Sequence, residues 1–301
     1  MQSPCKILSL HPLKFYKTVR VHNNKNDLQH AIKCLKGDGK TIGMVPTMGA
    51  LHNGHLQLVK KALTETNFVV VSIFVNPTQF NNAEDLEKYP RTLDADVKLL
   101  GSVSEANILV YAPTVNDIYE GHTVSEVFDF DGLEHEMEGK FRLGHFDGVG
   151  TIVKRLFEIA MPHKAYFGEK DYQQLLIIKK LVDKYHLPVS IVGCKIHRES
   201  NGLAMSSRNT RLTPQHKAAV PFIFKTLKLA KAKFGTKSAA KVNEWVENEF
   251  KNNELLDLEY FIIADATTLK PIKRKLKQKK YRAFIAVYAG AVRLIDNIAL
   301  N

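Results

Sequence analysis

The sequence predicts an α/β protein with a Rossmann-like, doubly wound parallel sheet and a second, smaller α+β unit. The chain has 301 residues and is 45% hydrophobic, which is enough to bury two separate cores. Through the first two-thirds, short apolar runs alternate with segments whose apolar residues recur at helical spacing. This alternation predicts parallel strands that are joined by right-handed helical crossovers.

Five apolar runs are predicted to form the strands of this sheet: residues 41–45, 68–75, 106–112, 164–167 and 189–196. The predicted helices of the same region are residues 55–66, 93–100, 149–161 and 172–186. Ligands of such sheets bind beyond the carboxyl ends of the strands. We therefore expect the functional residues in the turns that follow the strands.

The pattern changes after Arg208. Residues 214–234 and 238–250 have helical periodicity, and strand-like runs follow at residues 258–264 and 282–289. This order predicts a separate α+β unit. We place the domain boundary at residue 196, so that the Rossmann-like domain covers residues 1–196. The smaller domain covers residues 197–301 and carries the loop 199–209 at its start.

The composition argues against several protein classes. Residues 1–8 show no signal-peptide pattern, and no run approaches the roughly 20 apolar residues that a membrane-spanning helix needs. Cys5, Cys34 and Cys194 are widely separated and form no CxxC pair, which argues against a disulfide framework or a cysteine zinc site. We therefore expect a cytoplasmic protein with no membrane partner.

The net charge of +12 suggests a nucleic-acid partner as a hypothesis. Much of the excess lies in residues 270–282, KPIKRKLKQKKYR, between two strand-like runs. A solvated loop also explains such a run, and the segment lacks the interleaved aromatic residues that stack on bases. We therefore predict no nucleic-acid partner. RNA binding that depends on salt and on residues 273–280 would revive the hypothesis.

The segment PTMGALHNGH, residues 46–55, lies between a predicted buried strand and a predicted helix. Gly49 and Gly54 allow a ligand to approach the backbone closely, and the N–H groups at the helix start suit an anion. A helix N-terminus alone contributes only ~0.3–1 kcal/mol to an exposed anion, so that side chains must add to it. His52 and His55 lie on one helical turn and are placed to donate to phosphate oxygens. The alternative is that they are two surface histidines in a turn.

Three further polar segments lie next to predicted strands or helices. NPTQF, at residues 76–80, supplies amides that bind hydroxyls and a carboxylate without adding net charge. GEKDYQQ, at residues 168–174, supplies Lys170 as a point charge and Asp171, which would suit a helix N-cap. NGLAMSSRN, at residues 201–209, supplies two hydroxyls and the Arg208 guanidinium, which can neutralise phosphate charge.

These segments resemble the motifs of a known family. PTMGALHNGH is similar to the HxGH signature of the nucleotidylyltransferase superfamily and, in its longer form, to the pantoate–β-alanine ligase family. NPTQF, GEKDYQQ and GLAMSSRN resemble that family's other motifs, and RLIDN at residues 293–297 resembles its C-terminal segment. The resemblance implies a homodimeric enzyme that uses ATP and Mg²⁺ to join pantoate and β-alanine. It further implies a pantoyl-adenylate intermediate and the release of AMP and pyrophosphate.

The resemblance also implies roles for single residues. It assigns ATP binding to Met48, Gly49, Ala50, Leu51, His52, Asn53, Gly54, His55, Gly168, Glu169, Lys170, Asp171, His197, Met205, Ser206, Ser207 and Arg208. Among these, it makes His52, His55, Lys170 and Arg208 catalytic. It assigns pantoate to Asn76, Gln79 and Gln174, β-alanine to Gln79, and Mg²⁺ to Asp96. The family analogy makes His55 a proton donor, whereas its position in the sequence supports only a hydrogen bond.

Three residues depart from the family pattern. Thr78 stands where Met is usual, Leu143 where Pro is usual, and His197 where an aliphatic residue or Met is usual. Arg142 and His145, beside Leu143, either orient the substrate or cap the helix that follows. A mononucleotide adenylyltransferase is the alternative enzyme, but it would have no reason to carry both the NPTQF and the GEKDYQQ segment.

Overall fold

The computed structural model describes residues 19–80 and 83–301, apart from the Asp85 side chain. The expectations for residues 1–8 and for Cys5 therefore lie outside the described residues. Cys194 is a free thiol, and the Sγ atom of Cys34 lies 3.9 Å from Nε2 of His30. Within the described ranges, we find no helix that combines the length and the apolar character needed to cross a membrane.

Six parallel strands form the larger sheet, in the spatial order β1-β4-β3-β2-β5-β6. Their bounds are β1 Arg20–His22, β2 Ile42–Thr47, β3 Phe68–Ile73, β4 Ile108–Tyr111, β5 Lys164–Gly168 and β6 Ser190–Cys194. The chain adds β3 and β4 on one side of β2 and then returns to place β5 on the other side. This reversal creates a crevice at the carboxyl ends of β2 and β5, where open α/β sheets bind their ligands.

Eleven helices are present in the described ranges. They are α1 Lys25–Gly37, α2 Asn53–Glu65, α3 Ala83–Glu87, α4 Leu93–Gly101, α5 Val115–Tyr119, α6 Glu138–Phe141, α7 His145–Ala160, α8 Tyr172–Lys184, α9 Pro214–Ala219, α10 Pro221–Thr236 and α11 Ala239–Lys251. The single helix predicted over residues 214–234 is therefore wrong. It is divided into two helices because Pro221 has no N–H to continue the ladder and serves instead as the first residue of α10.

The smaller sheet is antiparallel and has the order β7-β8-β9. Its strands are β7 Asp257–Asp265, β8 Tyr281–Ala289 and β9 Val292–Ala299, and helices α10 and α11 share a core with it. The third strand contains the RLIDN segment. The basic segment 270–282 connects β7 to β8, with Lys275 over the Phe234 ring and Lys279 beside Asp265.

The two sheets are not packed independently. Ala264, Leu269 and Phe284 from the C-terminal region belong to the same apolar cluster as the core strands and helix α7 of the larger sheet. The α/β sheet with a smaller α+β unit is confirmed. The exact boundary at residue 196 stays a prediction.

Candidate functional site

The sequence-predicted segments meet at the crevice between β2 and β5. A cavity of about 270 Å³ opens there, and we call it the site cavity. The predicted residues that line it are Met48, His52, Gly54, His55, Gln79, Gly168, Lys170, Asp171, Gln174, His197, Met205, Ser206, Ser207 and Arg208. Residues from four separate turns thus converge on one space, as expected for a topological switch point.

The histidine turn, residues 48–52, joins β2 to α2 in an unusual backbone conformation. Gly49 has a φ of +83° and Ala50 a φ of 50°, so that two successive residues lie in the left-handed region. A side chain at Ala50 makes this conformation unfavourable by ~1–2 kcal/mol. Contacts elsewhere in the fold must therefore hold the turn in place.

Gly54 is required for a different reason from the one that the sequence suggested. A Cβ atom at this position would lie 2.8 Å from Cε1 of His52, so that the imidazole ring occupies the space of the missing side chain. The glycine thus admits a neighbouring ring of the same chain. Substitution by alanine would displace that ring from the site cavity.

The two histidines are fixed by backbone hydrogen bonds at the start of α2. Nδ1 of His52 accepts from the Gly54 N–H at 3.1 Å, and Nδ1 of His55 accepts from the His52 N–H at 3.3 Å. The rings are stacked, with centroids 4.1 Å apart. A ring whose Nδ1 accepts must carry the proton of its neutral form on Nε2. Both histidines therefore present an Nε2–H donor.

The surroundings keep both imidazoles neutral. Burial lowers the pKa of His55 to about 3, with further contributions from His52 and Lys170. Burial and the Lys170 ammonium lower the pKa of His52 to about 4. Protonation of either ring would occur only well below neutral pH. The pair consequently acts as hydrogen-bond donors without positive charge.

The turn after β5 brings a cation to the same cavity. Lys170 is mostly buried and lies 3.6 Å from the more exposed Asp171 carboxylate. Asp171 is the N-cap residue of α8, as expected, but its side chain makes no capping hydrogen bond to the helix. Instead, Asn297 of β9 donates to the carbonyl oxygens of Glu169 and Lys170, each at 2.9 Å. The C-terminal strand therefore holds the turn that carries Lys170.

Gln79 lines the site cavity, whereas Asn76 lies behind it. Asn76 is 1% exposed and donates to the side-chain oxygen of Gln79 at 3.3 Å and to the Gly148 carbonyl at 3.1 Å. Its own oxygen accepts from the Tyr119 hydroxyl and from Thr78. Thr78, the departure from the family's Met, thus joins the polar network that orients Gln79. Asn76 supports this residue rather than forming a wall of the cavity.

Arg142 and His145 hold the backbone of the same turn. The carbonyl of Gln79 accepts from Arg142 at 3.2 Å and from Nδ1 of His145 at 2.9 Å. Nε2 of His145 then accepts from Arg142, which fixes the tautomer. Burial and the Arg142 charge lower the pKa of His145 to about 4. Through these hydrogen bonds, Arg142 and His145 fix the backbone of Gln79. Both residues also line the site cavity.

The loop before α9 brings Arg208 over the cavity. The Ser206 hydroxyl accepts from the Arg208 N–H at 3.2 Å and begins a short 3₁₀ turn, Ser207–Arg211. Asn209 anchors the loop by donating to Glu199 and to the Ala204 carbonyl. The guanidinium and the two serines can therefore reach an anion together.

Several residues assigned by the sequence lie outside the described lining of the site cavity. They are Gly49, Ala50, Leu51, Asn53, Asn76, Asp96 and Glu169. The backbone N–H groups of Ala50 and Leu51 donate to Asp96, and Asn53 is exposed at the start of α2. The Glu169 carboxylate pairs with Arg282 of β8 at 3.2 Å. These residues shape the surrounding turns instead.

A resident Mg²⁺ site does not fit the residues in place. Asp96 is 2% exposed, and its two oxygens accept backbone N–H groups of the histidine turn at 3.0 and 2.8 Å. In the described part of the chain, no three His, Cys, Asp or Glu side chains are grouped as metal ligands. Both oxygens of the Asp96 carboxylate thus face protein N–H groups, whereas a Mg²⁺ ligand must direct an oxygen at the ion.

A larger cavity of about 660 Å³ adjoins the site cavity and shares Arg142, Lys170, Gln174 and Arg208 with it. Arg293 of β9 crosses it to pair with Glu138 at 2.8 Å and with Glu259 at 2.6 Å. Asn297 of the same segment donates to the Glu169 and Lys170 carbonyls of the larger unit. The RLIDN segment therefore joins the two units, a role that its sequence alone did not indicate.

Comparison with known proteins gives consistent matches. The family model described as pantoate-beta-alanine ligase matches residues 20–299. The pantothenate synthetase of Christiangramia forsetii is 58% identical over 94% of this chain and 100% of its own length. That of Bacteroides fragilis is 45% identical over 93% of this chain and 98% of its own length.

Solved structures agree with these matches. The pantothenate synthetase of Thermus thermophilus has a TM-score of 0.86 at 37% identity, covering 94% of this chain and 99% of that one. A pantoate-beta-alanine ligase from Francisella tularensis, described as complexed with beta-gamma ATP and beta-alanine, has a TM-score of 0.76 at 34% identity. The match covers 94% of this chain and 98% of that one.

Proposed function

The chain belongs to the pantoate–β-alanine ligase family, and from this we propose that it forms a pantoyl adenylate in the site cavity. Members of the family form pantothenate in an ATP-dependent reaction, and the chain is an enzyme of this kind. The observation that carries the proposal is the convergence of His52, His55 and Lys170 with Gln79 and Gln174 on one cavity. Anion-binding groups and amides suited to a hydroxy acid are thereby brought together.

In the first step, a carboxylate oxygen of pantoate attacks the α-phosphorus of ATP. The bond from that phosphorus to the oxygen of the leaving pyrophosphate breaks. In the second step, the β-alanine amine attacks the acyl carbon, the bond to AMP breaks, and the amine nitrogen loses a proton. This chemistry needs no covalent bond to the enzyme, so that positioning and charge stabilisation are the tasks left to the protein.

We propose that the histidine pair and the two cations bind the phosphates. Lys170 and Arg208 supply positive charge, and Arg208 can contact two oxygens with its planar fork. The Nε2–H groups of His52 and His55 donate to oxygens whose charge grows as pyrophosphate leaves. Because burial keeps both rings neutral, we propose that His55 acts by hydrogen bonding and not by transferring a proton.

The amide geometry defines how Gln79 would hold the acid. Asn76 donates to the Gln79 side-chain oxygen, so that the NH₂ group of Gln79 remains to donate to pantoate oxygens. Gln174 lies on the wall of the same cavity and would bind the other side of the acid. The Francisella tularensis ligase, described as complexed with beta-gamma ATP and beta-alanine, supports β-alanine as a substrate, and the family resemblance places it beside Gln79.

The adenine side of the nucleotide is assigned to His197 and Met205. Both line the site cavity, and the Met205 N–H donates to the His197 carbonyl at 3.0 Å. The imidazole that replaces an aliphatic residue would stack on the base or donate to it. Gly168 would let the nucleotide approach the end of β5 closely.

Three further expectations stay predictions. Mg²⁺ would enter as its complex with ATP, because phosphates and water can supply most of its octahedral ligands. A homodimer is expected from family resemblance, and Val124 and Val127 offer exposed apolar side chains for an interface. The cytoplasmic location stays the expectation that the sequence composition gave.

The adenylate mechanism can be tested by following oxygen atoms. Pantoate labelled with ¹⁸O in its carboxylate should transfer one label to the phosphate group of AMP, because the carboxylate oxygen bound to phosphorus remains there when the C–O bond breaks. Mass spectrometry of AMP measures this. Label in inorganic phosphate, with ADP as product, would show attack at the γ-phosphorus instead. Unlabelled pantoate in ¹⁸O-water is the control and should give unlabelled AMP.

A further inference from the structure

The histidine turn needs a specific support. Its backbone passes through the left-handed region at both Gly49 and Ala50, and Ala50 has no glycine-like freedom there. The turn ends at His52, which is the N-cap of α2. Any relaxation of the turn would therefore move the Nε2–H groups of both histidines relative to the site cavity.

Asp96 contacts the backbone at this point. One carboxylate oxygen accepts from the Ala50 N–H at 3.0 Å, and the other accepts from the Leu51 N–H at 2.8 Å. The Thr92 hydroxyl donates to the same carboxylate at 3.2 Å. The carboxylate thus bridges two successive N–H groups that no helix or strand satisfies. Hydrogen bonds to a charged acceptor are stronger than those between neutral groups.

The Asp96 carboxylate is buried and packs against the histidine turn. Asp96 lies in the first turn of α4, where the helix dipole favours negative charge, and is 2% exposed. A Cβ atom at Gly49 would lie 3.1 Å from its Oδ2, so that the turn packs directly against it. Its oxygens are directed at protein N–H groups. A cation bound with ATP phosphates would compete with these donors for the same two oxygens.

We propose that Asp96 is a positioning residue that holds the strained histidine turn, and that it is not a ligand of Mg²⁺. It acts on the ligation through the placement of His52 and His55. The inference rests on the roles proposed for those histidines, and amide exchange at Ala50 and Leu51 tests it independently of them.

The experiment compares Asp96→Asn with Asp94→Asn. Asp94 lies in the same first turn of α4 but is exposed, so that the second variant removes the same charge without touching the turn. Asparagine has one oxygen and places its NH₂ group against the other backbone N–H. We expect Asp96→Asn to lower kcat for pantoate-dependent pyrophosphate–ATP exchange by roughly 10- to 100-fold, because a buried donor loses its acceptor. Asp94→Asn should stay close to wild type.

Two readouts separate positioning from metal binding. The Mg²⁺ concentration for half-maximal exchange should be unchanged in Asp96→Asn, and the Ala50 and Leu51 amides should exchange faster with deuterium. A higher Mg²⁺ requirement, with kcat restored by excess Mg²⁺, would overturn the proposal. Unchanged kcat would do so too. If the wild-type enzyme shows no pyrophosphate–ATP exchange, deuterium exchange of the Ala50 and Leu51 amides still tests whether Asp96 holds the histidine turn.

Two more variants complete the design. Ala50→Gly relieves the left-handed strain, so that Asp96→Asn should cost less in that background than in the wild type. A defect of equal size in both backgrounds would contradict support of the strained turn.

If Asp96→Asn does not fold, Thr92→Val removes only the hydroxyl that donates to Asp96 and should give a smaller fall in kcat with the same Mg²⁺ requirement. An increased requirement in Thr92→Val would count against the proposal.

Discussion

Replacing His55 by alanine should lower the rate of pantoate-dependent pyrophosphate–ATP exchange by about 10²–10³-fold. The variant loses an Nε2–H donor that the His52 backbone fixes and that we propose faces the charge growing on the leaving group. It also loses the stacked partner of the His52 ring. Exchange of labelled pyrophosphate into ATP at saturating pantoate measures the effect. Near-normal exchange would show that the histidine turn does not act on the phosphates.

His122→Ala is the matched control, because His122 is exposed in the connection after α5. It should leave the exchange rate unchanged.

NMR of ¹⁵N-labelled histidine then shows whether His55 is a neutral hydrogen-bond donor or an acid that transfers a proton. The pKa values of about 3 and 4 keep His55 and His52 neutral with the proton on Nε2 throughout the neutral range. Titration of His55 near its ordinary pKa of ~6.5 would contradict this and would support proton transfer.

Replacing Lys170 by alanine should also lower the exchange rate by about 10²–10³-fold, since the variant loses the mostly buried cation of the turn after β5. The turn itself should persist, because Asn297 holds it through the Lys170 carbonyl and not through the side chain. Steady-state exchange at several ATP concentrations measures the loss and divides it between kcat and KM.

Lys179→Ala provides the control, on the helix that follows the Lys170 turn. Lys179 is an exposed residue of α8, so that its removal changes the net charge equally without altering the cavity. The exchange rate should then remain at the wild-type level. If both lysine variants lost activity to the same degree, the effect of Lys170 would come from overall charge, and its placement beside the phosphates would be contradicted.

The larger sheet could be predicted because its central strands are buried on both faces. Strands β2, β3 and β4 are almost entirely apolar, and such runs are readily distinguished from the helices between them. Strand β1 was missed because it is short and mostly exposed. Helix α1 was missed as well, since its apolar face is narrow and most of its residues are polar.

Many cavity residues could be predicted because they follow strands directly. The contacts that hold them could not, because they join distant parts of the chain. Asp96 supports Ala50 and Leu51 across 46 and 45 residues, and Asn297 supports Lys170 across 127 residues. Sequence spacing carries no information about such pairs. The burial of Asn76 behind Gln79 depends in the same way on Tyr119 and Gly148, and its assignment to pantoate stays a prediction.

The most direct test of adenylation in the site cavity is pyrophosphate–ATP exchange in the wild-type enzyme with Mg²⁺ and without β-alanine. A reversible first step should return labelled pyrophosphate to ATP only when pantoate is present. If adenylation occurs in the site cavity, the exchange rate should rise with the pantoate concentration and saturate. Exchange that is absent with pantoate, or that requires β-alanine, would contradict a pantoyl adenylate formed before the amine reacts.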